Sequence, residues 1–157
     1  MQITLLAIGK TDSKELAALI DEYQKRLGRY IKFQFLIIPD LKNSKNLSEP
    51  QQKEKEGELI LAQIETSDFV VLLDEGGQQF TSISFSNYLQ KKMNSGLKRL
   101  VLVIGGPYGF GEKVYARCNG KISLSSMTFS HQMVRLFAVE QLYRAFTILR
   151  NEPYHHQ

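Results

Sequence analysis

The sequence predicts an α/β fold in a single domain, residues 1–157, with a mostly parallel sheet and helices on both faces. Strand-like and helix-like periodicities alternate five times along the chain, the pattern of a sheet built from βα units. The strand segments, such as Val70 to Leu73 and Leu100 to Ile104, are unbroken apolar runs suited to strands buried on both faces. At 157 residues the chain can bury one sizeable core, and no repeat, linker or low-complexity stretch divides it.

Gln2 to Ile8 reads as the first strand, ended by Gly9. Asp12 with Glu15 suggests a capping box, opening a helix whose Leu16, Ile20, Tyr23 and Leu27 recur at helical spacing. Lys32 to Ile38 is the second strand, stopped by Pro39, and the polar stretch from Asp40 to Leu47 is an exposed loop. Ser48 with Gln51 suggests another capping box, with Pro50 tolerated in the first turn of a helix running to about Glu65. In that helix KEKEGE is expected to face solvent. Asp68 to Asp74 is the third strand; the turn EGGQQF and a helix through Phe85, Leu89 and Met93 follow, ended by Gly96. Arg99 to Ile104, a helix from Gly111 to Cys118, a short strand from Lys121 to Leu124 and a helix from Ser130 to Leu149 complete the order.

In the last helix Met133, Leu136, Phe137, Val139, Leu142, Phe146 and Leu149 are spread around the whole wheel. A helix apolar on all sides must be covered on all sides, and one sheet covers one face. A second copy of the chain is expected on the remaining face, giving a homodimer. The alternative is that the loop from Asp40 to Leu47 folds over it.

Twenty Lys and Arg against 16 Asp and Glu give a formal charge of +4, which favours an anionic partner. The excess is concentrated late: from Val101 onward Lys113, Arg117, Lys121, Arg135, Arg144 and Arg150 outnumber Glu112, Glu140 and Glu152. The single cysteine, Cys118, excludes an internal disulfide and a cysteine-based zinc cluster, and is expected to be a small buried hydrophobe. No bilayer-length apolar stretch and no signal peptide are visible: MQITLLAIGK has no preceding cationic segment. The expectation is a cytoplasmic protein with no membrane partner.

Two loops carry the chemical signal. In GGPYGFG, Gly106 and Gly111 have Walker spacing, but Glu112 stands where the phosphate-binding lysine belongs. A dinucleotide fingerprint fails too, since the loop follows the fourth strand and Pro107 interrupts the pattern. A receiver-type domain lacks its acidic cluster after the first strand. What remains is a loop whose glycines let backbone approach a ligand closely. The second loop, LSSMTFS, offers the hydroxyls of Ser125, Ser126 and Thr128 to an adenine or ribose, with Met127 and Phe129 against its faces. Read alone, Ser130 is a helix N-cap. Both loops are expected at the carboxyl ends of strands, where open α/β sheets bind ligands. His131 and Arg135, one turn apart, can together meet a phosphate or a partner chain. The tail carries Tyr154, His155 and His156; two adjacent histidines without a third ligand make a weak metal site, and no metal is expected.

The combination VIGGPYGFG, LSSMTFSHQMVR, EQLYRAF and the terminal PYH, with AIGK and EYQKRLGRY earlier, resembles the SPOUT methyltransferases end to end. Within them it is similar to the short bacterial family that methylates N3 of a pseudouridine in 23S ribosomal RNA. That resemblance implies a homodimer, a C-terminal trefoil knot and S-adenosylmethionine held by Leu73, Gly105, Leu124, Ser125, Ser126, Met127, Thr128 and Phe129. The basic residues expected to contact RNA phosphates are Arg135 and Arg144, with Lys25, Arg26 and Arg29 of the first helix, and His131 is placed with the substrate. His155 and Tyr154 of a partner's tail are expected to close over the target base, with His155 accepting or orienting the N3 proton. The chain departs from the family pattern at Ser130, usually Pro, and at His156, usually Arg or Lys. Two other readings stay open: a SPOUT enzyme acting on transfer RNA, and a non-catalytic nucleotide- or RNA-binding module.

Overall fold

The computed structural model describes residues 1–156. Strands β1 (Gln2–Ile8), β2 (Lys32–Ile38), β3 (Phe69–Gln79), β4 (Arg99–Ile104) and β5 (Gly120–Ser123) form one sheet in the order β2-β1-β4-β3-β5. Every pairing is parallel. Helices α1 (Lys14–Leu27), α3 (Ser82–Asn94) and α5 (Met133–Leu149) cover one face; α2 (Glu49–Leu61) and α4 (Glu112–Arg117) cover the other. The expected fold class holds, and its cause is visible in the strands. Alternate residues of β1 and β4 enter opposite cores: Leu5 and Leu102 pack under α1 and α5, Leu6 and Val103 under α2 and α4. Among the described residues no helix is long and apolar enough to cross a membrane.

Three expected boundaries move. Ser13, not Asp12, caps α1: its Oγ accepts the Leu16 N–H at 3.1 Å and donates to the Glu15 carboxylate, while the Asp12 N–H goes to Gln132, so the expected Asp12–Glu15 box does not form. The Ser48–Gln51 box forms as expected, but α2 stops at Leu61. The α5 helix begins at Met133, after a turn in which the Ser130 Oγ accepts the Met133 N–H.

The largest departure is in β3. The segment expected as a turn after Asp74 continues as strand to Gln79, with a break in register against β5. Leu73 pairs with Ile122, and Gln78 pairs with the same residue again, so the intervening residues bulge out. Gly77 makes this possible: a Cβ there would lie 2.6 Å from the Ile122 backbone. Gly77→Ala is therefore expected to cost about 1–3 kcal/mol of unfolding free energy by forcing β5 off β3. Urea titration checks it, and a change below about 0.5 kcal/mol would show that the backbones do not press together there.

Two burial expectations are corrected. KEKEGE is not a wholly solvated face, because Glu56 is buried beside Gly106 and Gly57 against Val114 of α4. Cys118 is half-buried at the end of α4, its thiol directed at the Tyr115 carbonyl.

Candidate active site

A cleft of about 530 Å³ opens at the carboxyl ends of β3, β4 and β5. The sequence places its two signature loops after β4 and β5, yet those strands are not neighbours; β3 lies between them. The loops therefore flank the end of β3, and Leu73, Asp74 and Glu75 become part of the cleft. This explains how Leu73, in sequence only the last apolar residue of a strand, joins the loops.

After β4 the chain turns through Gly106, Pro107, Tyr108 and Gly109. The Gly109 N–H donates to the Gly106 carbonyl at 3.1 Å, and Gly109 takes φ +80°, which favours glycine. A Cβ on Gly105 would crowd the Phe110 ring at 3.2 Å, so bare backbone faces the cleft. After β5, local hydrogen bonds shape the second loop: Ser123 Oγ donates to the Ser125 carbonyl at 2.7 Å, and Ser125 Oγ accepts the Met127 N–H at 2.9 Å. Phe129 packs on Phe137 of α5 with ring centroids 4.8 Å apart.

Of the eight residues expected to hold a cofactor, Leu73, Gly105, Leu124, Ser125, Met127, Thr128 and Phe129 line the cleft. Ser126 does not; its Oγ accepts a hydrogen bond from Gln79 at 2.9 Å and anchors the loop to β3. Met127 is 76% exposed, so it is a rim residue and not core. The sequence reading missed Asp74, whose Oδ2 accepts from the Tyr115 hydroxyl at 2.5 Å while its Oδ1 accepts the Gly76 N–H. Burial and that bond to Asp74 push the Tyr115 hydroxyl up to about 12, so it remains a donor. The signal available was the position of Asp74 at a strand's carboxyl end.

His131 lines the cleft, but Arg135 does not, and its expected phosphate contact is overturned. Arg135 is 0% exposed. Its guanidinium donates to the carbonyls of Ile8 at 2.7 Å, Gly9 at 2.8 Å and His131 at 3.1 Å, with Thr11 Oγ1 at 3.3 Å. It ties the start of α5 to the end of β1, and each of its three nitrogens donates to protein. Arg144 is half-buried, paired with Glu140 at 2.6 Å and stacked over the Tyr154 ring at 4.7 Å. The tail docks on the same strip of α5. The Tyr154 hydroxyl lies 3.0 Å from Glu140 and 3.2 Å from the Tyr23 hydroxyl, and His155 Nδ1 lies 3.4 Å from Arg144. Neither Tyr154 nor His155 lines the cleft of its own chain.

The cleft is mixed in chemical character. Its walls combine apolar surface (Leu73, Ile104, Phe129), hydroxyls (Ser125, Thr128), acceptors suited to ribose hydroxyls (Asp74, Glu75) and side-chain-free backbone.

A family profile described as "Predicted SPOUT methyltransferase" matches residues 1–155. Proteins named Ribosomal RNA large subunit methyltransferase H are similar to this chain over the full length of both. That of Christiangramia forsetii is 71% identical over 157 residues and covers 100% of each chain, and that of Flavobacterium johnsoniae is 69% identical with the same coverage. The protein of that name from Porphyromonas gingivalis is 54% identical, again over 100% of each. Among solved structures, a probable methylase family protein from Haemophilus influenzae has a TM-score of 0.51 at 12% identity, over 99% of this chain and 70% of that one. At that identity the likeness concerns the fold.

Proposed function

Because this chain belongs to the SPOUT methyltransferase family, we propose that it methylates N3 of a pseudouridine in 23S ribosomal RNA, using S-adenosylmethionine, on the assembled ribosome. The observation that carries this reading is the cleft formed by the GGPYG turn, the end of β3 and the loop from Leu124 to Phe129. The name its relatives share points to large-subunit ribosomal RNA as the substrate. A cytoplasmic location and the C-terminal trefoil knot belong to the same proposal. What supports the knot is that the chain leaves β4 and passes β3 to place β5 at the sheet edge.

S-adenosylmethionine, when bound, supplies a methyl carbon on a cationic sulfur, open to attack by a ring nitrogen. The chain's task is then placement, which can contribute roughly 7–11 kcal/mol at best. Leu73 and Phe129 would bracket the base, and Ser125, Thr128 and the carboxylates at the end of β3 would take its polar edge and ribose. The Tyr154 hydroxyl is pushed up by burial and by its contacts with Tyr23 and Glu140, so it serves as a donor. That leaves the His155 imidazole to accept or orient the N3 proton.

The tail reaches a cleft only in trans. Arg144, where His155 docks, lies about 16 Å along the α5 axis from Met133 at the cleft end. Toward that end Met133 and Phe137 of α5 are exposed, as are Met127 and Tyr108 of the cleft rim, and the loop from Asp40 to Leu47 does not cover the two helix residues. A two-fold partner on this strip would bury that apolar surface and bring each tail to the other chain's cleft. Light scattering is expected to return a dimer at micromolar concentration; a monomer would remove the trans arrangement.

RNA phosphates would meet Arg144 and the exposed face of α1. There Lys25 pairs with Asp21 at 2.6 Å and Arg26 with Glu22; Arg29, expected in the first helix, lies just past its end at Leu27 and is exposed. Exposed pairs of this kind are weak enough to exchange for phosphate. Labelled S-adenosylmethionine incubated with ribosomes, free ribosomal RNA and transfer RNA tests the whole reading. Label is expected in the 23S RNA of ribosomes; label in transfer RNA, or none, would replace it with the transfer-RNA or non-catalytic reading.

A further inference from the structure

Glu56 is a buried carboxyl that the function above does not use. It is 3% exposed, on the face of α2 turned toward the cleft turn. Its Oε1 accepts a hydrogen bond from Gln52 Nε2 at 2.9 Å, and among the described residues its Oε2 has no partner. The unpartnered oxygen is aimed at Gly106: a Cβ built there would lie 2.3 Å from it, and the three nearest atoms are all of the Glu56 carboxyl. Gly106 in turn lines the cleft, so the carboxyl lies behind the cleft wall at a residue with no side chain.

Leaving a buried acceptor unpaired costs free energy that an apolar residue of similar size would avoid. In compensation, an unpartnered charge in a low-dielectric wall acts at close to full strength on its surroundings. We propose that Glu56 is the residue by which the cleft prefers a cationic ligand to its neutral counterpart, so that the methyl donor is held and the demethylated product is let go. The inference rests on the cleft being the S-adenosylmethionine site, since donor and product differ there by the positive charge on sulfur. Burial pushes the Glu56 carboxyl up, opposed by the Gln52 donor. Asp40, at the end of β2, pushes it in the same direction as burial and adds negative charge, while His131 at the cleft edge opposes both. A bound cation relieves that penalty on the carboxylate, and by reciprocity the carboxylate strengthens the cation's binding.

Calorimetry on the full chain with S-adenosylmethionine and S-adenosylhomocysteine reads this preference directly. Glu56→Gln is expected to weaken donor binding about tenfold and product binding less than about twofold. Glu56→Asp, which keeps the charge, is expected to retain most of the preference. Equal weakening of both ligands would mark Glu56 as a merely structural support, and no change in either would also overturn the proposal. Should Glu56→Gln not fold, Gln52→Leu decides. Gln52 is half-buried, and its loss removes the carboxylate's one donor, so the preference is expected to fall by a smaller factor; an unchanged ratio overturns the proposal. A wild-type chain that bound neither ligand would instead refute the assignment of the cleft, a result distinct from any change in the ratio.

Discussion

Arg135→Leu is expected to lower the unfolding free energy by about 3–5 kcal/mol, a large share of the roughly 5–15 kcal/mol that holds a domain folded. The side chain is fully buried and donates to three main-chain carbonyls, those of Ile8, Gly9 and His131. Leucine fills much of the volume but leaves those carbonyls without donors and without water, each at about 1–3 kcal/mol. No carboxylate touches the guanidinium among the described residues; Asp12 and Asp40 act on it only through space. The loss is therefore one of hydrogen bonds and placement, not of an ion pair. Arg135→Lys is expected to recover only part of it, because an ammonium cannot span carbonyls from two elements as a planar fork does. With a urea dependence of about 2 kcal/mol/M, the midpoint for leucine should fall by about 2 M. A fall of less than about 0.5 M would mean that the start of α5 is held by something else, and Gln132, which bonds Lys10 O and Asp12 N–H, would be the next residue to test.

Arg135 also shows where the sequence stops being legible. The strands were readable because parallel strands buried on both faces need unbroken apolar runs, and four of the five lie within a residue or so of their expected bounds. A basic residue one turn from a histidine carries no such mark of burial. Two of its three carbonyl partners lie more than 120 residues away in sequence, which side-chain type does not encode. The same limit hid Glu56 within a charge run. A trace was present beside it, since a glycine inside a helix is unfavourable unless another element packs close, and a Cβ on Gly57 would meet Val114 of α4 at 3.1 Å. Most of the cleft was legible because glycine and hydroxyl loops at strand ends are the material of ligand sites. Which loops would be adjacent was not, because strand order is a tertiary property. The insertion of β3 between β4 and β5 is what brought Asp74 and Glu75 into the site.

Deleting residues 154–157 should reduce methylation by about 10²–10⁴-fold while changing the affinity for S-adenosylmethionine less than about twofold. The separation follows from the placement of the tail. Tyr154 and His155 touch Glu140, Tyr143, Arg144 and Tyr23, and none of these lines the cleft of the same chain. Removing them exposes the Tyr143 ring, 4.7 Å from that of Tyr154, at a cost of about 0.5–1.5 kcal/mol, too little to unfold the chain. A loss of turnover with intact binding would thus report on the chemistry and not on the fold. Mixing the truncated chain with a full-length chain blocked at the cleft, for example Gly105→Val, decides whether the tail acts in trans. Neither homodimer would turn over. A mixed dimer joins the open cleft of one chain to the tail of the other, so an equimolar mixture should recover about a quarter of wild-type activity. No recovery, with exchange of subunits demonstrated, would place the tail's action within its own chain and undo the two-chain site.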